Sequence, residues 1–177
     1  MPLLYVSVPL IFLMVQIDRY LGYTPLPTGQ TFLVTAKLAN SEALDQAVVK
    51  LPDGVTLTAP AVHVPAVREI VWRLSADAKG TGSLEVTAAG QSVTKSLEVS
   101  DGIKRISTIR LYDRWWERIF VSAEPELPAS SGVQSIEVNY PERTISFAWM
   151  EWNWIWLFFV LSLIFGFLFK TILGIEI

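Results

Sequence analysis

The chain has 177 residues, a net charge of −3 and no block of like charges, which leaves room for one ordinary domain plus apolar segments. Nucleic acid is excluded as a partner, because counterion-releasing contacts need clustered Lys and Arg. The absence of cysteine excludes disulfides, thiolate metal sites and cysteine nucleophiles.

The apolar fraction of 51% exceeds that of a typical soluble domain, and the excess sits at the two ends. Residues 3–17 form the first apolar run. At about 1.5 Å per residue it is short for a full crossing of a bilayer, and Tyr20, Leu21 and Tyr23 lengthen it. No Lys or Arg precedes the run and no Ala-x-Ala-like site follows it, so a retained membrane helix over 1–23 is favoured over a signal peptide.

Residues 24–29, Thr-Pro-Leu-Pro-Thr-Gly, read as a linker. Short strand-like segments follow at 31–38, 46–51, 55–58, 61–64, 69–75, 83–88 and 92–99. Several alternate apolar with polar residues, as in Ile70-Val71-Trp72-Arg73-Leu74. Turn signals separate them at Pro52-Asp53-Gly54, Lys79-Gly80-Thr81-Gly82 and Ala89-Gly90-Gln91. This is the pattern of an immunoglobulin-like antiparallel β-sandwich over 24–102, without the Cys-Trp-Cys core of antibody domains. Trp72 reads as a core residue.

Asp101-Gly102 ends that pattern. Between 103 and 122 the aromatic and apolar residues Tyr112, Trp115, Trp116, Ile119 and Phe120 recur with helical spacing. Arg110, Arg114 and Arg118 recur every four residues on another side. The spacing predicts an amphipathic helix near 108–121. Its aromatic face, led by Trp115 and Trp116, would meet a partner or the headgroup layer. A helix packed on the sandwich edge is the plainer alternative. A loop over 124–132 and a hairpin pairing 133–140 with 142–147 around Tyr140-Pro141-Glu142-Arg143 would complete a segment spanning 103–147.

The last stretch, 148–173, reads as a transmembrane helix. From Trp154 to Phe169 it carries no charge and no proline, and with its flanks it reaches the roughly 20 residues needed for a crossing. Trp149, Trp152 and Trp156 share one face at helical spacing and suit an interfacial belt. A bound lipid or pigment at this tryptophan cluster is the alternative occupant. Glu151 is a polar contact candidate for a partner subunit. Ser162 and Gly166 form a small-xxx-small pair that lets another helix approach. The fold class is therefore mainly β with one or two transmembrane helices.

The catalytic inventory is thin. His63 is the only histidine, and no Gly-x-Ser-x-Gly elbow or phosphate loop is present. Glu124 and Glu126 could be imagined as paired acids, but they flank Pro125 in a loop and read as solvated. No catalytic residue, metal ligand or cofactor is assigned. The expectation is a non-catalytic accessory or assembly subunit of a larger integral membrane complex, respiratory or photosynthetic among the options. Its partners would be integral membrane subunits and the lipid bilayer. The expected location is the bacterial inner membrane, with the sandwich on the periplasmic side. The alternative is a membrane-anchored sandwich that binds an envelope peptide, glycan or protein by itself.

Overall fold

The computed structural model describes residues 2–112, 124–147 and 149–173. Among the described residues the protein is mainly β, with three antiparallel sheets and two long helices. It divides into two compact units, Met1–Pro141 and Glu142–Ile177.

The first unit begins with α1, Pro2–Leu21. Its strands are β1 (Thr31–Leu38), β2 (Val48–Lys50), β3 (Val55–Val64), β4 (Glu69–Ala76), β5 (Gly80–Ala88), β6 (Gln91–Val99), β7 (Ile109–Leu111) and β8 (Val133–Val138). Five of them form one sheet in the order β3-β4-β1-β8-β7, and three form another in the order β2-β5-β6. Period-two alternation explains the packing. Phe32, Val34, Ala36 and Leu38 of β1, Ile70, Trp72 and Leu74 of β4, Leu84 and Val86 of β5, and Val93, Leu97 and Val99 of β6 are all buried in one hydrophobic cluster. Both sheets thus turn their apolar faces to a shared core. Trp72 is part of it, as the sequence predicts.

The tightest turn joins β5 to β6. Ala88 pairs with Gln91, leaving a two-residue loop in which Ala89 and Gly90 both have positive φ, 50° and 77°. Such loops match the right-handed twist of paired strands, and Gly90 enters that region without a Cβ penalty.

Several sequence expectations are corrected. Segments 55–58 and 61–64 are one strand, β3, whose register against β4 shifts twice around Thr58 and Pro60. Proline lacks the N–H that a ladder needs, and an edge strand with bulges accommodates it. Segment 46–51 contracts to the three residues of β2. Segment 24–29 is more than a linker. Thr24 N donates to Pro141 O at 2.9 Å, Leu26 N to Glu98 O at 3.1 Å and Gly29 N to Ala76 O at 2.7 Å. Leu26 is fully buried and forms a parallel bridge with Val99.

The predicted helix near 108–121 does not begin where expected. Residues 109–111 are strand β7, antiparallel to β8, and residues 113–123 lie outside the described residues. The predicted hairpin between 133–140 and 142–147 is also absent, because β8 pairs with β1 and β7 instead.

The second unit holds a two-stranded sheet of β9 (Thr144–Phe147) and β10 (Met150–Asn153), followed by α2 (Trp154–Leu173). β10 runs antiparallel to β9, with Met150 opposite Phe147. Ile155 N donates to the Asn153 side-chain oxygen at 3.0 Å, a cap that fixes where strand becomes helix. Among the described residues, no helix is long and apolar enough to cross a membrane. The apolar run of α1 is interrupted by Gln16, Asp18 and Arg19 within its last turns. The final helix begins at Trp154, not at the start of the segment.

Candidate functional site

Strand β6 carries a lysine where the alternation demands an apolar residue. Val93, Leu97 and Val99 face the core, and Lys95, in phase with them, is fully buried. Its ammonium donates to Ser107 O at 2.5 Å and pairs with the Glu124 carboxylate. Glu124 also accepts from Ser96 Oγ at 2.6 Å and from Ser96 N at 3.2 Å. Every lone pair engaged this way offsets part of the cost of removing the two charges from water.

Arg110 works beside this pair. Its Nε donates to Pro125 O at 2.7 Å and its terminal nitrogens to Glu126 O at 3.2 Å and Thr94 Oγ1 at 3.3 Å. Leu127 N then donates to Leu111 O at 3.0 Å, and Leu127 is buried. Residues 124–127 are thereby clasped between β6 and β7. Further along, the buried Tyr140 hydroxyl accepts from Glu98 N at 3.0 Å.

The electrostatics follow from burial. Desolvation pulls the Lys95 ammonium below its ordinary pKa, and Glu124 offsets only part of that. Burial pushes Glu124 up, but Lys95 and Ser96 outweigh it, and its pKa falls below the usual carboxylate value. Burial raises the Tyr140 phenol, so it stays protonated. The pair is locked in place by these contacts. It lines neither of the two clefts described below, so its chemical role is to fasten residues 107 and 124–127 to β6.

A cleft of about 610 Å³ is lined by Lys50, Asp53, Lys79, Thr81, Glu85 and neighbouring residues. Lys79 is engaged by Asp101 at the surface. A second, of about 400 Å³, lies along Gln30–Leu33 with Arg73 and Asn139. Among the described residues, no group of three or more His, Cys, Asp or Glu side chains converges to hold a metal. His63 Nδ1 lies 3.4 Å from Asp45 at the surface.

The interaction candidates fare unevenly. Arg110 is on a strand and holds backbone carbonyls, so it does not belong to a helical arginine face. Arg114, Trp115, Trp116 and Arg118 lie outside the described residues. Trp149, Trp152 and Trp156 do not share one helical face, since the first two belong to the β9–β10 hairpin. Trp149 sits at the turn with φ 55° and is 100% exposed. Trp152 Nε1 donates to Phe147 O at 3.2 Å. Trp156 is exposed in the first turn of α2, and Glu151 is exposed on β10. Ser162 is exposed on α2, four residues before Gly166 on the same helix.

Sequence reading missed the Lys95–Glu124 pair. The signal was half present: a lysine in the apolar phase of a strand. Its partner, 29 residues away, could not be read from spacing. The chain has no match among protein-family models, curated proteins or solved structures.

Proposed function

We propose that the chain is a non-catalytic accessory or assembly subunit of a larger integral membrane complex, in which an immunoglobulin-like sandwich braces partner subunits. The observation that carries this reading is the apolar surface of the two helices. On α1, Tyr5, Val8, Leu10, Ile11, Phe12 and Leu13 are all exposed, and on α2 so are Phe159, Leu163, Ile164, Phe165, Phe167 and Leu168. These positions run around each helix and not along one stripe. A helix apolar on all sides belongs inside a large protein or in lipid. The helices thus lie in the apolar layer of a complex, against lipid tails and partner helices, with Ser162 and Gly166 offering a close approach.

The immunoglobulin-like reading is supported by strand order. Taking β1 as strand B, β3-β4-β1 follows D-E-B and β2-β5-β6 follows C-F-G, with β8 in the place of strand A. We place the sandwich on the periplasmic side by analogy with other tethered sandwiches. Arg19, Lys104 and Arg105 pull the other way, because basic residues near helix ends favour the cytoplasm. Labelling decides between them. The chain has no cysteine, so Thr58→Cys on the exposed β3 edge gives one thiol whose reaction with an impermeant reagent in intact cells reports the side.

The test of function is gentle detergent extraction, separation by native size and mass spectrometry of the co-migrating chains. A defined large complex of fixed stoichiometry is expected. A lone monomer or homodimer would sink the reading. In that case the 610 Å³ cleft favours a self-sufficient binding module, to be screened with peptides and glycans.

A further inference from the structure

Strand β5 runs on past the strand beside it. β2 covers only Glu85–Thr87, whereas β6 pairs with β5 from Gly80 to Ala88. The ladder to β6 fixes where each backbone group of β5 points. In a two-residue hairpin the closing pair, here Ala88 and Gln91, exchanges both hydrogen bonds, and every second pair behind it does the same. Gly80, Gly82, Leu84 and Val86 therefore bond β6, while Thr81, Ser83, Glu85 and Thr87 turn N–H and C=O the other way. Contacts on β6 agree. Glu98 N donates to the Tyr140 hydroxyl, Ser96 N donates to Glu124, and Thr94 O accepts from Arg110, so all three point away from β5. Glu85 and Thr87 meet β2. Thr81 and Ser83 are exposed, and among the described residues no hydrogen bond reaches their backbone groups on that side.

The cause is local. Past Lys50 the chain leaves for β3, and Pro52 crosses the inner side of Gly82, where a Cβ would stand 2.8 Å from the proline Cβ. β2 thus stops while β5 continues, and the 610 Å³ cleft lies along the uncovered Gly80–Ser83. At Gly80 a Cβ would meet nothing within 4 Å, and Leu97 and Val99 line the cleft behind it.

Other sheet edges are guarded against stray pairing. Leu26, Glu124 and Tyr140 take up the outer groups of β6, Leu127 meets β7, and β3 carries Pro60 and two register shifts. Lys79, which could guard the β5 edge, is held by Asp101. The Thr81 hydroxyl donates to Glu98 of β6 at 2.7 Å and leaves the edge clear.

Backbone N–H and C=O groups in a row along a cleft match an extended peptide, which supplies the complementary row. Charges of both signs surround them, Lys50 and Lys79 against Asp53 and Glu85, which favours an uncharged segment. We propose that the Thr81–Ser83 edge of β5 takes an uncharged extended segment of a partner protein as an added antiparallel strand in line with β2. Opposite Gly82 the segment carries a small residue, because Pro52 fills that side; opposite Gly80 an aliphatic one fits. The proposal gives the bracing role a point of contact and rests on that role only for the source of the segment.

The test titrates the full chain, in a neutral detergent, into a fluorescent end-blocked peptide, Thr-Ala-Thr-Leu-Thr, with anisotropy as the readout. Saturable binding is expected. N-methylation of the first two threonines should weaken it about tenfold, since each methyl removes one N–H of the added ladder. Ser83→Pro removes an outward N–H, leaves the β6 ladder whole and suits an edge strand, so it should abolish binding while the thermal transition stays in place. Should that variant fail to fold, Gly80→Leu fills the cleft without a clash and should abolish binding likewise. No binding by the unaltered chain at about 1 mM, the weak end of specific association, overturns the site. Equal binding of the N-methylated peptide also overturns it. A homodimer of the unaltered chain that Ser83→Pro dissolves makes a second copy the occupant and overturns the partner segment. Peptide binding by a chain that migrates alone in the native-size separation refutes the accessory-subunit reading and upholds the edge site.

Discussion

Strand β6 and helix α2 dispose of apolar side chains in opposite ways. In β6, every second residue enters the core, and Val93, Leu97 and Val99 are almost completely buried. Even its one misplaced charge, Lys95, is met by Glu124 and a backbone carbonyl. In α2, Phe167 is 70% exposed and Leu163 62%. The sheets complete their own burial, whereas the helix leaves large side chains for another surface to cover. Folding stability should reside in the first and association in the second.

The comparison can be tested hardest at Lys95. Lys95→Ala leaves the partly buried Glu124 carboxylate without its cation and should cost about 3 kcal/mol in denaturant unfolding. The double variant Lys95→Met with Glu124→Leu, which removes both charges, should recover most of that loss. If the single variant were nearly neutral, the pair would not be the fastener described here. Trp72→Ala opens the shared core and should also cost about 3–5 kcal/mol.

Acid sharpens the same point. The Glu124 pKa is lowered from its ordinary value of 4.5, so its contribution is fully present above that value and is lost as pH falls through the lower folded-state value. Glu124→Gln should flatten the acid limb of a stability–pH curve. The lowered pKa of Lys95, from 10.5, means that the unfolded chain holds its proton more tightly. Its effect is a gain in stability as pH rises towards 10.5. Tyr140→Phe leaves Glu98 N without its hydroxyl acceptor and should cost about 1–2 kcal/mol. At the small end, Phe167→Ala should shift the sandwich transition by less than about 0.5 kcal/mol while reducing co-purification with partner subunits. A large shift in the transition would erase the contrast between the two regions.

Much of the β body was legible because alternation is a local signal. Segments 69–75, 83–88 and 92–99 match β4, β5 and β6 within a few residues. What escaped was non-local or unusual in its turn chemistry. Tyr140-Pro141 looked like a hairpin turn. Instead, the Pro141 carbonyl accepts from Thr24 N, on the far side of the chain. The true hairpin carries Trp149 in a left-handed conformation, where Gly or Asn would have announced it. Segment 109–111 fell within a helical spacing of aromatics, yet pairing with β8 decided its conformation. Among the candidate contacts, Arg110 was placed on the wrong kind of element for the same reason. The clasp around Glu124 depends on residues far apart in sequence, which no periodicity encodes.

The stitched segment between α1 and β1 has a mechanical consequence. Thr24 bonds to Pro141, Leu26 to Glu98 and Gly29 to Ala76, and Leu26 lies parallel to the end of β6. A tug on α1 reaches the sheets through these bonds. Load on a segment parallel to its neighbour is shared by several bonds at once, whereas a hairpin pulled apart at its open end gives way one bond at a time. The first helix is thus coupled to the β body as a stiff handle: a displacement of α1 would be transmitted to the body and not absorbed by slack in the connection.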